Sequence, residues 1–229
     1  MTTKRTGVTP MVEERLKRFT LTERIAHWTH AASFILLLFT GLIILSPMFH
    51  FLAAVTGGIQ GARLLHRTAA IVFAFGTMAI LVFGNFPALM RNLREISSFQ
   101  KGDMEFLKAF PKDFMGQPVD FPPQGRFNVG QKLNSLLVLS VGSVLVVTGL
   151  MMWNAVYVPL NIIRWAYPLH CLSALGLTAA VIGHAYLGLL HPGYKPSLSG
   201  MLDGTVSSKF AKSHHALWYK EMTGEDVKK

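Results

Sequence analysis

Two histidines, His170 and His184, lie 14 residues apart in a segment without charged side chains. In an α-helix that rises about 1.5 Å per residue, they are about 21 Å apart and project toward nearly the same side. Neutral imidazole is a common axial ligand of haem iron. One helix that offers two imidazoles to one side, most of a membrane thickness apart, indicates electron transfer across a bilayer.

The elements that would position these histidines are membrane-spanning helices. The chain is 51% hydrophobic and only 15% charged, whereas soluble domains carry about 25% charged residues. Stretches without Asp, Glu, Lys or Arg cover residues 25–62, 68–90, 133–163 and 165–194. Each exceeds the roughly 20 apolar residues that a spanning helix needs, and Ser46-Pro47 and Gly57-Gly58 place a loop inside the first. We predict four transmembrane helices, near residues 25–46, 65–89, 133–155 and 166–190.

Positive charges predict which side faces the cytoplasm. Lys and Arg are frequent before residue 25, between residues 91 and 132, and after residue 194. The opposite side has only Arg63, Arg67 and Arg164. Since cytoplasmic loops carry the excess of Lys and Arg, both termini are expected in the cytoplasm. The net charge of +10 is interpreted as anchoring to membrane lipid, and the hydropathy argues against nucleic acid as a partner.

The predicted organisation is an all-α, four-helix transmembrane bundle with polar ends. Residues 1–24 form a cytoplasmic arm, residues 25–190 the bundle and residues 191–229 a cytoplasmic tail, with a cytoplasmic loop at about residues 91–132. The polar start of the chain contains no recognisable cleavable signal peptide. The single cysteine, Cys171, excludes an intrachain disulfide and an iron–sulfur cluster held by cysteines of this chain alone.

With this topology the histidines fall into two pairs by depth. His66 and His170 lie near the outer ends of their helices, and His27 and His184 lie toward the cytoplasm. A six-coordinate haem needs two axial ligands, which helices of a bundle can supply. We therefore predict two b haems, one ligated by each pair. His30 competes with His27 for the inner position, and spacing alone does not separate them.

The other histidines receive structural interpretations. His50 is expected in solvent, His191 at the membrane interface, and His214 and His215 in packing or partner contacts of the tail. An intramembrane histidine on its own is more often a hydrogen-bonded packing residue than a ligand. Four at matched depths favour the haem interpretation, because buried polar groups in lipid are costly and tend to be functional.

Several segments resemble one family over nearly the whole chain. They are RIAHW at residues 24–28, GARLLH at 61–66, FNVGQK at 127–132, the 14-residue spacing of His170 and His184, and KSHHALWY at 212–219. Together they resemble the gamma subunit of membrane-bound formate dehydrogenases, a di-haem cytochrome b that delivers electrons to menaquinone.

The resemblance implies roles for individual residues. His27 and His184 would ligate the inner haem and His66 and His170 the outer haem. This choice prefers His27 over His30, because the family motif carries its ligand directly before the tryptophan. Asn128, Gly130 and Gln131 would lie beside a quinone, menaquinone or ubiquinone, near the inner haem. The alternative role of Asn128 is to cap the third helix, and both roles are compatible.

The resemblance also implies a location in the bacterial inner membrane and partners there. An iron–sulfur (beta) subunit would donate electrons at the outer face, and a molybdenum or tungsten catalytic (alpha) subunit would oxidise formate, so this chain would hold no formate-oxidising site. As almost the only outer cations, Arg63 and Arg67 are candidates to neutralise outer haem propionates, and anchoring to the membrane explains them equally well.

Other functions remain possible at this stage. The same cytochrome could serve a hydrogenase or a polysulfide or thiosulfate reductase, with only the outer partner changed. A haem-free transporter with a histidine proton relay, or a cofactor-free membrane anchor, would show no haem absorption.

Overall fold

The computed structural model describes residues 14–225 and is dominated by four long apolar helical segments. The first is α1, Leu21–Leu45; the second, Gly58–Ser97, combines α2 (Gly58–Ile71), a π-helical turn (Val72–Gly76) and α3 (Thr77–Ser97); the third is α5, Val129–Trp153; the fourth is α6, Leu160–Leu189. All four are long and apolar enough to cross a membrane. The prediction of four spans is therefore confirmed.

Each long helical segment begins four to seven residues before the predicted start, and the cause at two of them is a capping box. The Thr20 side chain accepts a hydrogen bond from the Glu23 N–H, and the Glu23 carboxylate accepts one from the Thr20 N–H. Asn128 and Gln131 make the same exchange at the start of α5. Such caps satisfy the free N–H groups of the first turn, so polar residues extend each helix beyond its apolar segment.

The second span is longer than the prediction at both ends. Its 40 residues would reach about 60 Å as a straight helix, twice the hydrocarbon thickness of about 30 Å. A kink at Asn85, with φ −160° and ψ 74°, precedes Pro87. Beyond it the helix continues to Ser97, and a further helix, α4, follows at Gly102–Phe114. The segment at about residues 91–132 is thus largely helical. Pro111 lies within α4 and does not end that helix.

The N-terminal arm and the C-terminal tail meet in a small two-stranded sheet, the one departure from an all-α fold among residues 14–225. Strand β1, Arg15–Lys17, pairs antiparallel with β2, Thr205–Ser207. Three short helices surround it: α7 (Leu198–Leu202), α8 (Ser208–His214) and α9 (Ala216–Thr223). Short 3₁₀ helices cover Pro47–Thr56, Ala155–Tyr157 and Lys195–Ser197. The arm and the tail therefore lie at the same end of the bundle.

The tail histidines are part of this folded end. His215 is 1% exposed, and its Nδ1 lies 2.8 Å from the carbonyl oxygen of Gly125. The His214 ring stacks on the Phe210 ring, with ring centres 4.5 Å apart. Packing of both residues, as predicted, is confirmed. His191 is buried with its Nε2 3.0 Å from the Asp113 carbonyl oxygen, so the prediction of an interfacial side chain is wrong. Helix α4 lies across the end of α6 and covers the His191 side chain.

Candidate functional site

The outer pair consists of His66 on α2 and His170 on α6. Their ring centres lie 6.4 Å apart, and the ring planes make an angle of 61°. The two helices are far apart in sequence, so the tertiary fold brings these imidazoles together at one depth of the bundle. The names outer pair and inner pair follow the orientation predicted from the sequence.

The outer pair is held by a threonine and a glycine on each neighbouring helix. Thr40 Oγ1 on α1 lies 2.9 Å from His66 Nδ1, and Thr148 Oγ1 on α5 lies 2.9 Å from His170 Nδ1. The next residue in each case, Gly41 or Gly149, faces the same ring. A Cβ at these glycines would lie 3.5 Å from Cε1 of His66 and 3.4 Å from Cε1 of His170. The glycines thus allow close packing of backbone on imidazole.

The inner pair consists of His27 on α1 and His184 on α6. Their ring centres lie 6.2 Å apart with an interplanar angle of 55°. The His27 ring also makes an edge contact with Trp28, at 5.1 Å between ring centres. Its Nδ1 is buried and has no hydrogen-bond partner among the described residues. An imidazole so placed has an unused donor or acceptor, which is costly unless a further group is bound nearby.

His30, the alternative inner ligand, points elsewhere. Its ring stacks on Phe73 with centres 4.2 Å apart, and its Nδ1 lies 3.4 Å from Thr77 Oγ1. It therefore occupies the interface of α1 with the second span, while His27 faces His184. This arrangement favours His27, whose role as a haem ligand stays a prediction.

Both pairs have the spacing that two axial ligands of one metal require. Two metal–nitrogen bonds of about 2.0 Å each, with about 1 Å from each nitrogen to its ring centre, separate the centres by about 6 Å. The observed values are 6.2 and 6.4 Å. No hydrogen bond joins the two imidazoles of either pair within residues 14–225. The residues present therefore fit a bis-histidine haem at each depth.

An apolar layer separates the two pairs. Phe34, Phe73 and Leu177 form a buried cluster contributed by α1, the π-helical turn and α6. Leu177 lies midway along α6 between His170 and His184. Apolar side chains in this layer exclude water and leave the histidines as separate polar sites.

A buried ion-pair network closes the end of the bundle next to the inner pair. Arg126 Nη2 lies 2.7 Å from Glu23 Oε1, and both side chains are less than one tenth exposed. Asn92 Nδ2 donates to the same carboxylate oxygen at 2.7 Å, and Arg18 Nη2 donates to the Arg126 carbonyl oxygen at 2.6 Å. Burial, with a further contribution from Arg126, lowers the pKa of Arg18 to about 9. Glu23 precedes His27 by one helical turn, so the network fixes the helix that carries the inner ligand.

The predicted quinone residues lie beside this network. Asn128 is buried and caps α5, as the alternative interpretation predicted. Gln131 Oε1 accepts hydrogen bonds from the Asn128 N–H at 3.1 Å and from Arg18 Nη2 at 3.2 Å. A Cβ at Gly130 would lie 3.3 Å from Asn128 Oδ1. Asn128 Oδ1 is used by the cap, which leaves its Nδ2 as the group that can donate to a ligand.

The outer arginines occupy different environments. The Arg67 guanidinium lies over the Trp153 ring at 5.0 Å from its centre, an arrangement that attracts a cation to the ring face. Arg63 is exposed, three residues before His66. The structure brings Arg67 toward α5 and leaves Arg63 accessible.

Thr40 and Thr148 are the site residues that the sequence reasoning missed. The available signal was a repeated tripeptide, Thr-Gly-Leu, at residues 40–42 and 148–150. It occurs once in each helix that contacts an outer histidine. Without the structure, nothing linked these threonines to His66 and His170, which are 26 and 22 residues further along the chain.

Comparisons with known proteins identify a family and several relatives. The family model of prokaryotic cytochrome b561 matches residues 18–204. The formate dehydrogenase cytochrome b556(fdo) subunit of Escherichia coli (strain K12) is 31% identical over 94% of this chain and 97% of its own length. The nitrate-inducible cytochrome b556(Fdn) subunit of the same organism is 28% identical over 90% and 91%, and the cytochrome b556 subunit of Haemophilus influenzae formate dehydrogenase is 29% identical over 91% and 84%.

These findings define the class of the protein. The relatives are named as subunits of formate dehydrogenases. A cytochrome b carries haem b, and four apolar helices make the chain a multi-pass membrane protein. The chain belongs to the prokaryotic cytochrome b561 family.

Proposed function

We propose that this chain is the membrane cytochrome b subunit of a formate dehydrogenase complex, in which it carries electrons to a quinone. The proposal is supported by similarity to formate dehydrogenase cytochrome subunits across nearly the whole chain. The observation that carries it is the pair of bis-histidine arrangements, with ring centres 6.2 and 6.4 Å apart.

His27 with His184, and His66 with His170, are the proposed axial ligands of two b haems. When bound, the haems would supply reversible one-electron chemistry at two depths of the membrane. The histidines would hold each group between helices that are far apart in sequence. Thr40 and Thr148 would orient the outer imidazoles, and the Arg126–Glu23 pair would fix the start of α1 near the inner one.

The proposed direction follows from the distribution of positive charge. The folded arm and tail lie at one end of the bundle, and the excess of Lys and Arg there is typical of the cytoplasmic side. Electrons would therefore enter near His66 and His170 from an iron–sulfur partner and leave near His27 and His184. Formate oxidation would take place in a separate molybdenum or tungsten subunit.

Asn128, Gly130 and Gln131 are the proposed contacts of the quinone at the cytoplasmic end. Asn128 Nδ2 is the donor that the capping box leaves available for a quinone carbonyl. Gly130 carries no side chain that would obstruct a ring beside Asn128. Arg63 and Arg67 remain the proposed counter-ions of the outer propionates, with Arg67 positioned by Trp153.

The proposal is tested by purification of the native complex from its membrane. We expect about two haems b per chain by pyridine haemochrome assay, co-purifying iron–sulfur and molybdenum or tungsten subunits, and formate-dependent quinone reduction. Less than about one haem per chain would contradict the di-haem proposal. A co-purifying hydrogenase or polysulfide or thiosulfate reductase would instead reassign the electron donor.

A further inference from the structure

The hydroxyl groups of Thr40 and Thr148 already use their single proton elsewhere. Thr40 Oγ1 donates to the Leu36 carbonyl oxygen at 2.7 Å, and Thr148 Oγ1 donates to the Val144 carbonyl oxygen at 2.7 Å. Each is a bond back to the preceding turn of its own helix. A hydroxyl has one proton and two lone pairs, so each threonine oxygen faces its histidine as an acceptor.

This arrangement determines which ring nitrogen carries the proton. Thr40 Oγ1 lies 2.9 Å from His66 Nδ1, and Thr148 Oγ1 lies 2.9 Å from His170 Nδ1. Because the oxygens accept, Nδ1 must donate. The protonated nitrogen is therefore Nδ1, and the lone pair of Nε2 is free for a metal.

The inner pair has no equivalent contacts. His27 Nδ1 is buried without a hydrogen-bond partner, and no side-chain hydrogen bond of His184 occurs among the described residues. The two sites thus have the same ligand type and nearly the same ring separation but differ in what the ligands donate to. A ligand that donates its other N–H becomes a more basic metal donor.

We propose that Thr40 and Thr148 are positioning residues that hold His66 and His170 in the Nδ1–H tautomer and lower the reduction potential of the outer haem relative to the inner one. The inference rests on the proposed haem ligation. A more basic ligand favours ferric over ferrous iron, so the threonine contacts favour electron movement from the outer to the inner site. Within residues 14–225, the only imidazoles to which Thr40 and Thr148 hydrogen-bond are His66 and His170, which makes the expected effect local.

The test compares threonine variants in a protein that also carries His184→Ala, so that only the outer haem is expected to remain. Thr40→Val and Thr148→Val keep the shape and remove the acceptor, while Thr40→Ser and Thr148→Ser retain it. Thr178→Val is the matched control. Thr178 Oγ1 donates to the Ala174 carbonyl oxygen of its own helix at 2.7 Å, and among the described residues it has no hydrogen bond to a histidine. Haem content and the midpoint potential are measured in each variant.

In the double variant Thr40→Val/Thr148→Val, we expect the ferrous-to-ferric ratio of the outer haem at a fixed potential to rise at least threefold. This corresponds to an increase in midpoint potential of about 30 mV, at 59 mV per tenfold for one electron. The serine variants and Thr178→Val should keep the original potential. Loss of the outer haem in the valine variants, with retention in the serine variants, would also support the inference. An unchanged potential in the valine variants, or haem loss in both series, would overturn it. Absence of haem from the unmodified protein would instead overturn the proposed function.

Discussion

The outer and inner histidine pairs have nearly equal ring separations, 6.4 and 6.2 Å, yet different supports. The outer imidazoles donate to threonines within the bundle and lie against glycines. The inner pair is supported from the end of the bundle, through the ion pair of Arg126 with Glu23, one helical turn before His27. The outer site is thus organised by local contacts of its ligands, and the inner one by the folded end that the arm and the tail form.

The largest expected effect is the loss of one haem at a time. His170→Ala and His184→Ala change two positions of the same helix and should each reduce the content from about two haems per chain to about one. The remaining haem should be the inner one in His170→Ala and the outer one in His184→Ala. Pyridine haemochrome assay and redox titration distinguish these cases.

Substitutions of two further histidines serve as controls for that experiment. His50→Ala should keep both haems, because His50 is exposed. His30→Ala should also keep both, because its ring faces Phe73. If His30→Ala loses the inner haem while His27→Ala retains it, the proposed inner pair is wrong.

The support of the inner end should be the next most sensitive feature. Arg126→Met leaves the buried Glu23 carboxylate without its ion-pair partner, which typically costs about 3–5 kcal/mol. We expect a lower unfolding temperature and release of the inner haem before the outer one on heating. Absorption spectra recorded during thermal unfolding would follow both changes.

The matched control for Arg126 is an exposed ion pair of the same end. Arg15 Nη2 lies 3.0 Å from Asp203 Oδ2, with both side chains about half exposed, and such pairs contribute about 0–1 kcal/mol. Arg15→Met should therefore have little effect. Equal destabilisation by the two substitutions would show that burial of the Arg126–Glu23 pair is unimportant.

Much of this comparison could be predicted from the sequence, because it depends on hydropathy and spacing. Four apolar segments indicated the spans, and the depths of His27, His66, His170 and His184 indicated which histidines would meet. The choice of His27 over His30 required the family resemblance, since both residues lie near the start of the same apolar segment.

The supports of the two pairs could not be predicted in the same way. Arg126 reaches Glu23 across 103 residues, and no local pattern specifies such a contact. Helix ends were also misplaced, since absence of charge marks the membrane-embedded part of a helix while caps such as Thr20 and Asn128 determine its actual start. The Thr-Gly-Leu repeat was visible in the sequence, but its meaning depends on which ring each threonine faces.

A bulky residue behind an outer ligand should affect the outer site alone. In Gly149→Val the new Cβ would lie 3.4 Å from His170 Cε1, and its methyl groups would press on the imidazole. Overpacking of this kind costs about 1–3 kcal/mol, so we expect partial loss of the outer haem with the inner haem retained. The haem content and redox titration of the purified variant measure this.

Gly188→Val provides the control for that glycine. Nothing lies within 4 Å of a Cβ built at Gly188, so the same added volume should be tolerated there. Loss of the inner rather than the outer haem in Gly149→Val would contradict the proposed placement of the outer site.

The smallest expected effect is a pH dependence of how stably the tail docks at the folded end formed by the arm and the tail. Burial lowers the pKa of His215 well below its ordinary value of 6.5, and burial also lowers the pKa of His214. In the undocked tail both would protonate near the ordinary value, so the docked tail binds fewer protons. The docked tail therefore has its full stability above about pH 6.5. Below that pH the free energy of docking weakens by up to about 1.4 kcal/mol per pH unit for each histidine.

Hydrogen exchange of residues 208–223 at pH 7.5, 6.5 and 5.5, corrected for the intrinsic pH dependence of exchange, measures this effect. Protection should decrease with acid, and His215→Asn should reduce the slope, because asparagine can still donate to the Gly125 carbonyl oxygen but does not titrate. The tail packs against the loop that carries Arg126, because the Leu217 N–H donates to the Gln124 carbonyl oxygen at 3.0 Å. Acid should therefore loosen the packing near the inner pair while the spectrum of the outer haem stays constant. Equal protection at all three pH values would show that the buried imidazoles do not couple the docking of the tail to protons.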